Sequence, residues 1–373
     1  MNLSEKRIVG LAEKYGTPLY LYDAEVIRSQ IRKAKKVFEG LDVRIFFALK
    51  ANSNTALLSI MKEMGIGADV VGPGEIFCAK KAGISEMILN GNGKTVRIRD
   101  SFINAGGKYV SIDSLEEMKL WQNERLVKFL RINPNVVAGG HPSISTGGSH
   151  HKFGVSINEI DKCAEEIQGL HVHIGSQITT VDPFEEAYSR VVQISNRLGF
   201  SWLDIGGGWG IRYKDSELDL EEFRRRIVPI LSNFKGKIAA ELGRFIIASA
   251  GSLILRVTEV KRAGKIFVTA DGGMNVLMRP ALYDAYHKIT PVGPVGKPEI
   301  CDVVGPLCET GDVLAKNREM AIPQPGALLM VENTGAYGYS MSNNYNGMPR
   351  PAEILLENED DKLIRPRESV EGF

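Results

Sequence analysis

The chain has 373 residues, and 46 Lys+Arg against 45 Asp+Glu leave a formal net charge of +1 at pH 7. That balance offers no field for nucleic acid or an anionic membrane surface, so neither is expected as a partner and a small-molecule substrate is. With 43% hydrophobic residues the chain buries a large core and exceeds the usual size of one simple domain.

In chain order, the N-terminal MNLSEKRIVGLAEKYG mixes charge with apolar residues at helical spacing, unlike a signal peptide. No stretch approaches the ~20 apolar residues of a membrane span, so a cytoplasmic location is expected. Residues 17–22, ThrProLeuTyrLeuTyr, read as a strand that joins a later β domain. From residue 41 onward eight short apolar runs follow, at 43–49, 67–71, 87–91, 109–113, 127–133, 170–175, 202–206 and 238–241. Amphipathic stretches such as 54–64, 114–123 and 158–168 lie between them and read as helices. Strands alternating with helices give a parallel α/β sheet. Eight units favour closure into a (β/α)8 TIM-type barrel over an open doubly wound sheet. After about residue 250 the pattern turns to β-rich runs at 252–260, 265–270 and 327–332, predicting a C-terminal all-β domain. The expected division is 1–22 contributing to the β domain, 23–250 as barrel and 251–373 as β domain. The acidic run 357–361 reads as a solvated turn.

Polar residues and glycines gather just past the ends of the predicted strands, the face where such barrels carry their sites. Lys50, in PhePheAlaLeuLysAlaAsn, stands at the mouth of an apolar strand, where desolvation lowers an amine's pKa and favours Schiff-base formation with a carbonyl. A lysine that merely ends a strand and reaches to water has the same signature. LeuAspIleGlyGlyGlyTrpGly (203–210) ends a strand in Gly206, Gly207 and Gly208, so that backbone N–H groups can approach a phosphate; plain turns also look like this. The spacing is not GxGxxG, which disfavours a dinucleotide. His173 is placed to stack on a planar ring or to serve structure, and His171, two residues deeper on the same face, reads as structural. Glu241 and Arg244 end the eighth strand, facing the barrel mouth or pairing at the surface. Cys78, Cys163, Cys301 and Cys308 show no CxxC or Cys/His metal spacing, so disulfides and a metal are not expected. Cys308 stands beside Glu309 on a loop, where a buried structural thiol is the usual state. Residues 335–353 concentrate Tyr, Asn, Gly and Arg in a loop suited to ligand or subunit contact.

Taken together, ALKAN, HVHIGSQI, LDIGGGWGI, RPALYDAYH, GPLCETGD and GAYGYSMSNNYNGMPRPAE resemble the diaminopimelate decarboxylase family, within the alanine-racemase-like pyridoxal-phosphate enzymes. The similarity runs from about Thr17 to Glu353. It implies a pyridoxal 5'-phosphate cofactor linked to Lys50, with His173 stacked on its ring and Glu241 on the pyridine nitrogen. A carboxylate there keeps the nitrogen protonated and preserves the ring's capacity to accept electrons. Asp69, Ser176, Gly206, Gly207, Gly208, Gly243, Arg244 and Tyr337 are implied as further cofactor contacts. Arg244, Arg279, Tyr283, Glu309 and Tyr337 are implied around the substrate, an arginine fork suiting a second carboxylate. The resemblance also implies a homodimer with shared active sites, Cys308 and Glu309 entering from the other subunit and Cys308 giving a proton to the substrate carbon.

The chain departs from the family at GluLeuGlyArg (241–244), usually GluProGlyArg, and at Gly72–Pro73–Gly74, usually serine-glycine-glycine. GluLeuGlyArg occurs in relatives that act on other amino acids. The expected reaction is therefore decarboxylation of meso-diaminopimelate to L-lysine, with ornithine, lysine or a carrier-tethered glutamate as alternative substrates. A racemase needs a second base and typically an arginine at the pyridine nitrogen, which Glu241 and Cys308 oppose. A catalytically silent relative would keep the fold without Lys50, Glu241 and Cys308 all in place.

Overall fold

The computed structural model describes residues 3–136 and 152–372. The chain divides into two units. One comprises Arg28–Arg212 and Ser216–Ile246; the other comprises Met1–Ile27, Tyr213–Asp215 and Ile247–Phe373. The first strand, β1 (Leu19–Asp23), belongs to the second of these.

The first unit is built on β2 (Val43–Ala48), β3 (Gly67–Val70), β4 (Met87–Leu89), β5 (Tyr109–Ile112), β6 (Val127–Asn133), β8 (Gly169–Val172), β9 (Trp202–Asp204) and β10 (Lys237–Leu242). A two-residue strand, β7 (Val155–Ser156), lies alongside β6. The eight strands pair in parallel in the order β5-β4-β3-β2-β10-β9-β8-β6, and β6 returns to β5. That last pairing closes the ring, so the architecture is the barrel the alternating pattern predicts and not an open sheet. All eight apolar runs are strands, each beginning and ending within two residues of its expected bounds except the sixth, which stops at Val172.

Two of the expected helices are shorter. Within 114–123 only Met118–Trp121 is α-helical. Glu117 just before it is tied to Lys94 Nζ at 2.9 Å, Trp121 Nε1 at 2.9 Å and Asp113 N at 3.2 Å, contacts that fix the preceding loop. Residues 158–168 form two 3-10 turns, Ile157–Lys162 and Ala164–Glu166, because Cys163 leaves helical geometry at φ −139° between them. The stretch 54–64 does form a helix, Thr55–Glu63, whose Asn54 side chain accepts from Ala56 N.

Inside the barrel Phe46, Ile88, Tyr109, Phe129, Trp202 and Ala239 pack together. Tyr109 and Trp202 meet edge to face at 5.3 Å between ring centroids, a favoured aromatic geometry.

In the second unit β1 pairs antiparallel with β11 (Gly251–Arg262) and parallel with β17 (Ala352–Glu357). The remaining strands are β12 (Ile266–Ala270), β13 (Ile289–Val292), β14 (Val295–Val304), β15 (Val313–Pro323), β16 (Leu328–Val331) and β18 (Asp360–Arg365). Helix Glu5–Tyr15 buries Ile8 and Leu11 against Leu19, Leu21, Ile254 and Ile354. The acidic run 357–361 is the tip of the hairpin joining β17 to β18. Its first four residues are solvated as expected, but Asp361 accepts from Arg7 at 2.9 Å, Lys14 at 2.6 Å and Tyr15 Oη at 2.5 Å, clasping the first helix. Among the described residues no helix is long and apolar enough to cross a membrane.

Phe129 is fully buried at the centre of the barrel's apolar layer. Phe129→Ala is expected to cost about 3–5 kcal/mol of stability, read from the urea midpoint. A loss below about 1 kcal/mol would contradict this packing.

Candidate active site

Side chains alternate along a strand, so the residue two positions beyond each member of the apolar layer faces the same interior. At that next level the chain places Asn90 after Ile88, Ser111 after Tyr109, Arg131 after Phe129, Asp204 after Trp202 and Glu241 after Ala239. Asp69 and His171 follow Gly67 and Gly169 in the same way. All seven are buried. Burying so many polar groups is costly unless each is paired, so the contacts among them decide what the layer can do.

Asp69, Asn90, Glu241, His171 and Ser111 form one network. Asn90 Nδ2 donates to Asp69 Oδ1 at 2.7 Å and, in a shorter contact, to Glu241 Oε1. His171 Nε2 lies 3.4 Å from Glu241 Oε2, and Ser111 Oγ meets His171 Nδ1 at 2.6 Å. His171, expected as purely structural, thus touches Glu241 directly. The ligand-type atoms of His171, Asp204 and Glu241 all lie within 4.8 Å of one another. Lys50 sits in a single 3-10 turn, Leu49–Ala51, straight after β2, and its Nζ is 3.8 Å from Asp69 Oδ2. Its side chain is 45% exposed while that of Asp69 is 1% exposed, so the amine reaches an open space with a buried carboxylate at its foot.

The electrostatics follow from burial and proximity. Burial, then the charge of Glu241, push the Asp69 carboxyl up to about 7, opposed by Lys50 and the Asn90 amide. Asp204 is raised well above the usual carboxylate range, first by burial and then by Glu241. Burial also pushes Glu241 up, yet His171, Lys50 and Asn90 outweigh it and hold that carboxyl below the ordinary range. Burial lowers His171 and lowers His173 still further, with Lys50 adding to the effect on His173. The layer therefore presents Glu241 as its firmly ionised carboxylate, beside a neutral imidazole.

The glycine run lies beyond β9. Gly206 and Gly208 take φ of 61° and 100°, which a residue with a Cβ rarely adopts. A Cβ on Gly207 would lie 1.9 Å from the carbonyl oxygen of Glu241, so the loop packs flat on the strand that carries that carboxylate. Gly206 N donates to Asp204 Oδ1 at 2.8 Å and Gly207 N to His173 Nδ1 at 3.2 Å. Arg244, buried despite its charge, donates from Nη2 to Ser176 Oγ at 3.0 Å. Glu241 and Arg244 are therefore not a surface ion pair. A Cβ on Gly243 would stand 3.1 Å from Ala48 Cβ and 3.2 Å from Ala51 Cβ, against the turn that holds Lys50.

The structure brings Lys50, Asp69, His173, Ser176, Gly206, Gly207, Gly208, Glu241, Gly243 and Arg244 into the barrel unit. Arg279, Tyr283, Cys308, Glu309 and Tyr337 belong to the other unit. There, Arg279 is buried: its Nη1 meets His287 Nε2 at 2.7 Å and its guanidinium lies 4.7 Å from the Tyr213 ring centroid. Tyr283 closes the short helix Arg279–Tyr283. Tyr337 takes a φ of 59°. Cys308 and Glu309 are exposed, so the thiol is not a buried structural one. Asn346 Oδ1 accepts from Cys308 N at 3.0 Å, and the buried Asp312 accepts from Leu307 N at 2.8 Å, so the loop is held at both ends while its thiol faces out. Asn90, Ser111, Arg131 and Asp204 were not singled out from sequence; the signal was a polar residue two places after an apolar one at the end of each strand.

Residues 24–248 match the family model described as "Pyridoxal-dependent decarboxylase, pyridoxal binding domain". Over 388 residues, 97% of this chain and 91% of the relative, the sequence is 41% identical to diaminopimelate decarboxylase of Aquifex aeolicus. The chain belongs to the diaminopimelate decarboxylase family. The crystal structure of the Helicobacter pylori family member complexed with L-lysine superposes with a TM-score of 0.92 at 34% identity, covering 98% of this chain and 97% of that one. Lysine/ornithine decarboxylase of Vibrio vulnificus, complexed with putrescine, shares the fold at a TM-score of 0.84 and 25% identity, covering 96% of this chain and 100% of that one.

Family membership makes pyridoxal phosphate the cofactor and the chain an amino-acid decarboxylase. The residues present fit that group. An amine stands over a buried carboxylate, Glu241 is held ionised inside the barrel, and the glycine loop has no room for side chains.

Asp69 supplies a pH test. Its folded-state pKa lies above its ordinary value of 3.8, so the folded chain holds that proton more tightly than the unfolded chain. Its contribution favours folding at low pH and is withdrawn as pH rises from about 4 to about 7. Asp69→Asn should therefore gain stability relative to the unsubstituted cofactor-free protein across that window, measured by urea unfolding at its two ends. A stability difference that stays constant with pH would contradict the burial of an ionisable Asp69.

Proposed function

We propose that this chain removes one carboxylate of meso-diaminopimelate as CO2 and leaves L-lysine, a lysine-forming step carried out in the cytoplasm. The observation that carries the reading is the half-exposed Lys50 amine set 3.8 Å from a buried carboxylate in a network ending on the ionised Glu241. Full-length similarity to diaminopimelate decarboxylases supports the substrate.

When bound, the cofactor supplies an aldehyde for the amine and an electron-accepting ring for the pair released as the Cα–carboxylate bond breaks. Lys50 would hold the cofactor through that aldehyde. Glu241 would hold a proton on the pyridine nitrogen, with His171 keeping Glu241 ionised. Asp69 balances the positive charge on Lys50. His173, its Nδ1 accepting from Gly207 N at 3.2 Å, would stack on the ring. Gly206, Gly207, Gly208, Gly243, Arg244, Ser176 and Tyr337 would hold the phosphate.

The far end of the substrate carries a second amino-acid group, and Arg279 with Tyr283, Arg244, Glu309 and Tyr337 is assigned to it. An arginine fork binds such a carboxylate through two parallel hydrogen bonds. Cys308 returns a proton to the substrate carbon after CO2 departs. Exposure of Cys308 and Glu309 on a braced loop fits delivery of both into the active site of a second copy, making the working enzyme a homodimer.

Two measurements test this. Arg279→Ala should lower kcat/KM for diaminopimelate by about 10–100-fold, the loss of a charge-assisted contact, and cost less with ornithine or lysine. Equal losses on all three substrates would remove Arg279 from the distal clamp. Mixing inactive Lys50→Ala with Cys308→Ala protein should restore activity, because a mixed dimer rebuilds one complete site. No recovery would refute the shared site.

A further inference from the structure

One residue of the buried layer has a role that the cofactor assignments leave open. Asn90 follows β4, is 5% exposed, and spends both protons of one amide nitrogen on carboxylates, Asp69 at 2.7 Å and Glu241 in a shorter contact. Both acceptors are anionic oxygens, so only the nitrogen end of the amide can face them and its orientation is fixed by chemistry. The other end, Oδ1, is buried without a hydrogen-bond partner among the described residues, a cost that a purely structural asparagine would avoid.

We propose that Asn90 is a positioning residue of the cofactor site, a two-pronged donor that ties the carboxylate beside Lys50 to the carboxylate on the ring nitrogen and keeps both anionic. Without it, two buried carboxylates face each other across the barrel, and the cheapest relief is a proton on the more weakly held one. That one is Asp69. Glu241 has His171 and Lys50 besides Asn90 to hold it ionised, whereas Asp69 has Lys50 and Asn90 against burial, Glu241 and Glu75. Asp204 and Arg131 also face Glu241 from β9 and β6. A neutral Asp69 leaves the positive charge at Lys50 without its anionic neighbour. Asn90 thus sets the pH range over which the Lys50-bound cofactor stays protonated, acting through Asp69.

This inference rests on the assignment of the cofactor to Lys50, and the test separates the two. Holoenzyme is titrated with pH while the visible band of the Lys50-bound cofactor is followed, for the unsubstituted protein, Asn90→Ala, Asn90→Ser and Asn90→Gln. Loss of both donors should move the midpoint down by about one pH unit or more, as expected for a hydrogen bond to a charged group. Asn90→Ser, with one donor, should fall between, and it reads the same effect if Asn90→Ala does not fold. Asn90→Gln, which keeps both donors, should return the midpoint toward that of the unsubstituted protein. A merely structural asparagine would lower the melting temperature and leave every midpoint in place, and that result overturns the proposal. If the unsubstituted protein shows no visible band on cofactor addition, the Lys50 assignment fails and this role falls with it.

Discussion

The account depends on charge buried in the middle of a barrel. A carboxylate with no solvent tends to take up a proton, and three of them, Asp69, Asp204 and Glu241, occur at one level of this one. The arrangement sorts them. Glu241 has an imidazole, an amide and an ammonium facing it and is the most firmly ionised, Asp69 is pushed up to about 7 with Lys50 and Asn90 holding its charge, and Asp204 is pushed toward its neutral form. A carboxylate fixed as an anion inside a low-dielectric cylinder can hold a proton on a pyridine nitrogen, which a carboxylate in water does weakly. The closed sheet beneath supplies rigidity, since every strand is hydrogen-bonded on both sides and the apolar layer below is close-packed.

The fold itself shapes this layer. Strand alternation forces the residues two beyond the apolar layer to face inward, so polar side chains at that level must meet across the barrel. The glycine loop after β9 presses against Glu241's backbone, where even one methyl group has no space. The same loop donates to His173 and Asp204, so the backbone beside Glu241, the His173 imidazole and the Asp204 carboxyl are positioned by one short stretch of chain.

Much of this was legible in the sequence, for identifiable reasons. The eight strands were visible because parallel barrel strands are apolar on both faces and are separated by helical periodicity. Lys50, Glu241, His173 and the three glycines stood out as unusual residues at the ends of such runs. The helices expected over 114–123 and 158–168 shrank because tertiary contacts overrode amphipathic spacing: Glu117 is drawn to Lys94, and Cys163 breaks helical geometry. Asn90, Ser111, Arg131 and Asp204 escaped notice because each is ordinary by itself, and their meaning lies in being at the same height on different strands. His171 was read as structural for the same reason, since Glu241 lies seventy residues away in sequence and 3.4 Å away in space. Cys308 was marked by the family resemblance alone, because a single cysteine on a loop most often reads as structural; its thiol is exposed on a loop held by Asn346 and Asp312.

Chemical trapping addresses the central claim most directly. Protein incubated with pyridoxal phosphate is reduced with borohydride, digested, and mapped by mass spectrometry. The account predicts one stable pyridoxyl adduct, on the peptide containing Lys50. An adduct on any other lysine, or none at all, would contradict it.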